Sequence, residues 1–194
     1  LQRIVADGTL GEILHIEGHF SNEHSRHVHG GWRDDPNESP GAGMTGAGMH
    51  VLDAFVNLVG PISRVDARMF SRKPGPDPRD VVAVLTEFES GATGLLATVR
   101  AAPMYWRVHV FGTNGSAEAR GEDTVVFTPL DQQPETRLYE HVDPVRTLIE
   151  HFVDAIEGKA RFPITAPQVL DMLGAFEAVL HSIERGEPCP SVSS

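Results

Sequence analysis

The stretch VVAVLTEFESGATGLLATV, residues 81–99, decides the fold class. Val81 to Phe88 and Thr93 to Val99 are short runs rich in apolar and β-branched residues, separated by Glu89-Ser90-Gly91. Two such runs across a short glycine-containing link pair as a hairpin. Downstream, Tyr105 to Phe111 is aromatic and β-branched, and Asn114-Gly115 is the strongest short hairpin turn of the chain. Ser116 to Arg120 and Thr124 to Thr128 continue the run, with Arg137 to His141 as a weaker strand. Upstream, Ile62 to Phe70 alternates, with Val65, Ala67 and Met69 on one side. Gly11 to Ser21 also alternates: Leu14, Ile16 and Phe20 lie on one side, His15, Glu17 and His19 on the other.

Helical spacing appears mainly at the two ends. Leu1 to Ala6 is a short apolar piece stopped by Asp7-Gly8. Leu52, Phe55, Val56 and Val59 give the buried stripe of a helix from about Gly46 to Val59, ended by Gly60-Pro61. Val145, Leu148, Ile149, Phe152, Val153 and Ile156 mark a third helix. A fourth opens on the capping box Thr165/Gln168, lays Val169, Leu173, Phe176, Leu180 and Ile183 on one face, and stops at Gly186. Runs of strands with helices mainly at the ends predict an α+β fold: a largely antiparallel sheet with helices packed on one face. A meander with so few helices leaves its other face open, which favours self-association. The 194 residues fit a single domain, 1–194, able to bury its own core.

Composition narrows the function. The net charge of -11 repels phosphate backbones and anionic lipid, so neither nucleic acid nor membrane is an expected partner. No apolar run approaches the ~20 residues of a membrane helix. Cys189 is the only cysteine, which excludes an internal disulfide and suits a reducing cytoplasm. No Gly-x-Gly-x-x-Gly follows a strand. Gly41-Ala42-Gly43 and Gly46-Ala47-Gly48 are glycine-rich but follow no hydrophobic strand, and are expected to let the backbone turn tightly. The chain alone is therefore not expected to bind a dinucleotide. It begins at Leu1, inside what reads as a helix, which suggests a segment of something longer.

Six of the ten histidines fall between positions 15 and 50, around a long stretch from Asn22 to Gly43 without periodicity. Loops of that length inside a domain are usually functional. His50, Asp53 and Asn57 form a polar stripe on a helix whose other face is core. That stripe is either a solvated face or a cleft-facing histidine able to move a proton near neutral pH. His24, His27 and His29 offer three nitrogens to a metal. No acidic or cysteine partner sits at a recognisable spacing, and Arg26 repels a cation, so surface or substrate-contacting histidines are expected rather than zinc. Trp32-Arg33 can stack on a ring and fork onto a carboxylate, phosphate or hydroxyl pair. It can equally plug the loop onto the core, with Arg33 paired to Asp34 or Asp35.

Four stretches in order resemble the Gfo/Idh/MocA family, named for glucose–fructose oxidoreductase and inositol dehydrogenase. They are VADGTLGEI (5–13), Trp32-Arg33 with GAGMTGAGMHVLD (41–53), FGTNGSAE (111–118), and FVDAIEG (152–158) with SIERG (182–186). Together they span essentially the whole chain. The resemblance implies the C-terminal, substrate-binding sheet domain of an NAD- or NADP-dependent oxidoreductase, the dinucleotide being held mainly by an N-terminal Rossmann domain absent from this segment. It implies a sugar, polyol or related hydroxyl substrate, and a homodimer or homotetramer formed through the sheet face. Carried over by position, the resemblance implies that His50 is the catalytic residue, hydrogen-bonding the reacting oxygen or relaying its proton, with Trp32, Arg33, Thr45, Asp53 and His29 around the substrate. Many active members carry an Asp four residues before this His, where this chain has Gly46, with Thr45 adjacent. Arg72-Lys73-Pro74 only superficially echoes the family's Glu-Lys-Pro and reads as a turn. The alternative is a free-standing ligand-binding or assembly module of the same fold without redox activity.

Overall fold

The computed structural model describes residues 1–23, 30–71 and 81–193. A helix α1 (Gln2–Ala6) leads into β1 (Ile13–Ser21). After a 3-10 turn (Trp32–Asp34) and a π-helical turn (Met44–Gly48) comes α2 (Met49–Val59). Then follow β2 (Ile62–Phe70), β3 (Val81–Phe88), β4 (Thr93–Val99), β5 (Tyr105–Gly112), β6 (Gly115–Arg120), β7 (Thr124–Pro129) and β8 (Glu135–Leu138). Helices α3 (Pro144–Ile156) and α4 (Ala166–Arg185) precede a two-residue β9 (Cys189–Pro190). The expected hairpins form, and β3 pairs β4 in antiparallel register while Gly112 and Gly115 close the turn between β5 and β6. The weak strand is displaced from Arg137–His141 to Glu135–Leu138.

The strands form one sheet in the order β8-β7-β6-β5-β1-β4-β3-β2-β9. It is not a simple meander. β1 lies between β4 and β5, parallel to the first and antiparallel to the second, and every other pairing is antiparallel. The chain leaving β4 must therefore cross the end of β1. Asn22 donates its N–H to the Val99 carbonyl, Ala102 donates to the Asn22 carbonyl, and the Ser21 hydroxyl donates to the Pro103 carbonyl at 2.9 Å. These bonds supply partners that a crossing segment otherwise lacks.

Helices α2 and α4 pack on one face of the sheet. Leu52, Phe55, Ile16, Val84 and Leu96 are fully buried between the layers. Glycine makes the close approach possible: a Cβ at Gly18 would lie 2.2 Å from Val51 Cγ1 and 2.7 Å from Phe55 Cε1. Alternation along β1 therefore puts Gly18 with Ile16 under α2, while Glu17 and His19 face the open side.

Helix α4 is seated differently from its sequence pattern. Its capping box is present, but the buried residues are Asp171, Ala175, Ala178, Val179 and Ser182, while Val169 and Leu173 are exposed. Small side chains win because the helix lies close on β2, where the Ala67 N–H donates to the Ser182 hydroxyl at 2.9 Å. Helix α3 buries none of its residues, so its apolar spacing faces outward.

The open face of the sheet carries a charged network across three strands. Arg107 pairs with Glu17 and lies 3.6 Å from Glu118, which accepts from Arg120 Nε at 2.7 Å. His109 stacks on Phe111 with ring centroids 3.9 Å apart. Burial pushes its imidazole below the ordinary value of 6.5; Glu118 opposes this and Arg107 adds to it. A lowered folded value means that the unfolded chain takes the proton first, so stability present above 6.5 is lost as pH falls. The His109→Gln variant should lose less of its thermal stability than the parent between pH 7.5 and pH 5. Melting curves of the full gene product at the two pH values check this, and an equal loss in both proteins would sink it.

Candidate active site

The approach to α2 is built around glycine. Met44–Gly48 form a π-helical turn, a wide turn that the 3.6-residue pattern did not reveal and that is frequent at functional sites. A Cβ at Gly43 would lie 2.7 Å from Thr98 Oγ1 and 3.1 Å from Arg100 Cγ, and one at Gly48 would lie 2.4 Å from Met44 Sδ. Both glycines therefore admit neighbouring side chains of this domain, not a phosphate. Gly46 differs: it is exposed, and nothing lies within 4 Å of a Cβ placed there.

His50 follows in the first turn of α2 and is exposed, its ring centroid 6.1 Å from that of Phe20. It is thus outward-facing on a helix whose opposite side, Val51, Leu52 and Phe55, is fully buried. Asp53, three residues on and on the same side, is half-buried. Burial pushes its carboxyl up, and the charge of His50 opposes that shift. Asp53 is therefore an acid within electrostatic reach of His50, in a chain that has glycine at position 46. The third member of the stripe serves another purpose, since Asn57 accepts a hydrogen bond from the Gln2 amide at 2.9 Å and ties α2 to α1.

Trp32 and Arg33 are both exposed, with the guanidinium carbon 4.2 Å above the Trp32 ring. The tryptophan does not plug the core. Asp34 is buried, accepts from the Gly30 N–H at 2.9 Å, and lies 3.9 Å from Arg100. The Thr45 hydroxyl donates to the Pro40 carbonyl, so its proton is committed to its own loop while its lone pairs stay available. His24, His27 and His29 lie outside the described residues, as does Arg72-Lys73-Pro74. Among the described residues, no group of three or more His, Cys, Asp or Glu could hold a metal ion.

Sequence reasoning missed Arg100. It lines one recess together with Asn22, Arg33, Ser39 and Gly46, and is 6% exposed. The signal was present: Gly94, Leu96 and Thr98 occupy the buried parity of β4, and Arg100 continues it by one step. A larger cavity of about 570 Å³ lies between α1 and the strands β6 to β8, and none of the candidate residues lines it. Among the described residues, no helix is long and apolar enough to cross a membrane.

Comparison with known proteins agrees with this architecture. A candidate NADPH-dependent oxidoreductase from Desulfitobacterium hafniense is 25% identical; the match covers 97% of this chain and 60% of that one, with a TM-score of 0.87. A levoglucosan dehydrogenase in complex with NADH and levoglucosan is 21% identical; that match covers 100% of this chain and 62% of the other, with a TM-score of 0.84. An uncharacterised oxidoreductase of Schizosaccharomyces pombe is 33% identical over 76 residues, 39% of this chain and 20% of that protein. The chain thus spans about 60% of the length of the solved structures it matches. The model of the GFO/IDH/MocA C-terminal domain matches residues 1–118. With an open-faced α+β sheet, an outward His50 and that match over more than half its length, the chain belongs to the Gfo/Idh/MocA oxidoreductase family as a C-terminal domain.

Proposed function

We propose that residues 1–194 act as one substrate-binding and oligomerisation domain of an NAD- or NADP-dependent dehydrogenase whose substrate is a sugar, polyol or related hydroxyl compound. The observation that carries this reading is the exposed His50, with Asp53 beside it, on the outer side of a helix whose inner side is core. An alcohol carbon that gives up hydride leaves a hydroxyl proton to be removed, and a neutral imidazole within reach of that oxygen takes it. The nicotinamide, when bound, accepts the hydride. The dinucleotide would be held mainly by an N-terminal Rossmann domain, because the spaces at Gly41, Gly43 and Gly48 are taken by this domain's own side chains. The work of this chain is to bind and orient the hydroxyl compound and to hold its proton at His50. Solved relatives described as NADH complexes of a levoglucosan dehydrogenase support both the cofactor type and the sugar class.

The open sheet face is the proposed surface for a homodimer or homotetramer. Leu85 and Leu95 are exposed there at 57% and 39%, directly paired across β3 and β4, beside a network containing both charge signs. A face with both signs can complement a two-fold copy of itself. The test is to assay the full gene product for substrate-dependent reduction of NAD⁺ and NADP⁺ across sugars, polyols and their derivatives. Reduction by at least one, with saturation kinetics, is the expected result. Binding of a sugar without any reduction would favour the second reading, a ligand-binding or assembly module without redox activity. The observation on that side is Gly46, which puts no carboxylate where many active relatives have one.

A further inference from the structure

The helix side of the sheet is covered unevenly. Helix α2 packs on β1 and α4 on β2. At the other end of the same face, Ala119 of β6 and Val125 and Phe127 of β7 instead line the cavity of about 570 Å³. Ala119 and Val125 are cross-strand partners, and Ala117, the partner of Phe127, belongs to the core, so these side chains share the core face. Among the described residues, α1 supplies the only helical part of the cavity wall, through Arg3 and Ile4. A layered domain covers such a face with a further element. Helix α3 follows β8 and does not serve, since it buries none of its residues. Val145, Leu148, Ile149, Phe152, Val153 and Ile156 fall on one stripe at helical spacing and are 44–70% exposed. The partly covered residues of α3 are Thr147, Asp154 and Ala155, which lie on the opposite side. The helix thus turns its polar side toward its own domain and its apolar side away. Asp143 caps it through the Val145 and Arg146 N–H groups, and Arg146 pairs with Glu150. Caps and pairs of this kind leave an isolated helix of 13 residues marginal in water, so its stability requires a body on the apolar stripe.

We propose that the body on this stripe is the N-terminal domain of the same chain, seated over the β6–β8 end of the sheet and clasped by α3. This rests on the two-domain dehydrogenase reading above and names the surface through which the domains join. Connectivity selects the occupant. Leu1, ahead of which that domain would be joined, lines the cavity, and so does Tyr139. Residues 139–144 span at most about 18 Å, so the first turn of α3 lies within about 30 Å of Leu1, the diameter of a small domain. A tethered domain meets the stripe at an effective concentration near millimolar, whereas a second copy must find it from solution. The second copy also has the opposite, open face of the sheet, with Leu85 and Leu95, for its own contact. The cavity wall carries both charge signs, Arg3 and Arg137 with Asp7, Glu122 and Asp123, which suits the more polar interfaces between domains of one chain. This domain spans about 60% of the solved structures it matches, which leaves chain for a second domain.

Hydrogen exchange of the full gene product is the first measurement. The amides of residues 148–156 should exchange at least about a hundredfold more slowly than those of a free peptide of residues 143–158. Ile149→Glu puts a charge in the middle of the stripe and should remove at least about tenfold of that protection. His151→Glu adds the same charge on the other side of the helix and should change it less than about threefold. Neither side chain is buried in this domain, so both variants fold. The second measurement identifies the occupant. A benzophenone amino acid in place of Ile156 is photolysed, and mass spectrometry locates the peptide it joins. A cross-link to chain ahead of Leu1, at the mass of a single chain, is the expected result. A stripe that exchanges as fast as the free peptide overturns the proposal, as does protection that Ile149→Glu leaves intact. So does a cross-link back into residues 1–194 or onto a second copy. Nicotinamide reduction is assayed on the same preparations. Reduction with an unprotected α3 overturns the docking surface and leaves the dehydrogenase reading intact. Protection with the expected cross-link, but no reduction of NAD⁺ or NADP⁺, upholds the surface and overturns the hydride reading.

Discussion

Replacing His50 by glutamine is expected to lower kcat of the full gene product by about 10²- to 10⁴-fold, with KM changing by less than about threefold. Glutamine keeps a polar group of similar reach on the exposed side of α2, so the helix and its buried side should be undisturbed. What it removes is the ability to take a proton from the reacting hydroxyl. The expected split, a large effect on turnover and a small one on KM, distinguishes proton transfer from mere contact. Asp53→Asn separates positioning from chemistry. The amide keeps the shape but removes the charge that interacts with His50. Turnover should fall less than in His50→Gln, because the amide leaves in place the imidazole that takes the proton. Stopped-flow measurement of the first turnover at several pH values checks both variants. An unchanged His50→Gln rate would remove the histidine from the chemistry.

The fold was legible because it depends on local pattern. Turn residues at 89–91 and 114–115, alternation along 62–70 and the capping box at 165–168 are all short-range signals, and each element lies within a few residues of where they place it. Non-local facts were not legible. Nothing in residues 13–21 says that they pair with 93–99 in parallel, because alternation fixes a face and not a neighbour. The burial of Ala175, Ala178 and Ser182 in place of Leu173 has the same origin: the distance between α4 and β2 decides it, and small residues carry no periodic signal.

The candidate site divides along the same line. The outward placement of His50 follows from helical angle alone, and the structure agrees. The exposure of Trp32 was one of two open readings, and only packing against the loop distinguishes them. Arg100 and its proximity to Arg33 depend on β4 ending beneath residues 33–46, a tertiary fact separated by more than fifty residues in sequence.

The second large effect concerns the seat of α2. Phe55→Ala should destabilise the domain by about 3–5 kcal/mol, a substantial part of the 5–15 kcal/mol that holds a typical domain together. The ring is fully buried, lies 6.1 Å from Phe88 centroid to centroid, and rests in a hollow formed by the missing side chains of Gly18 and Gly94. With the ring removed, the close-packed neighbours relax only in part, and the cavity left above the two glycines adds to the lost burial. Hydrogen exchange of the amides of residues 49–59 in the full gene product is the local readout. Protection should fall by at least about a hundredfold, which is the lower end of that energy range converted at 1.4 kcal/mol per factor of ten. Gly18→Ala perturbs the same contact from the other side and should cost less, about 1–3 kcal/mol, as overpacking usually does. Combined, the two should cost less than their sum, because the new methyl enters space that the ring has left. The rescue must be partial, since that methyl would still stand 2.2 Å from Val51 Cγ1. Strict additivity would mean that Gly18 and Phe55 do not share a contact, and that His50 is positioned by something other than the glycine seat beneath α2.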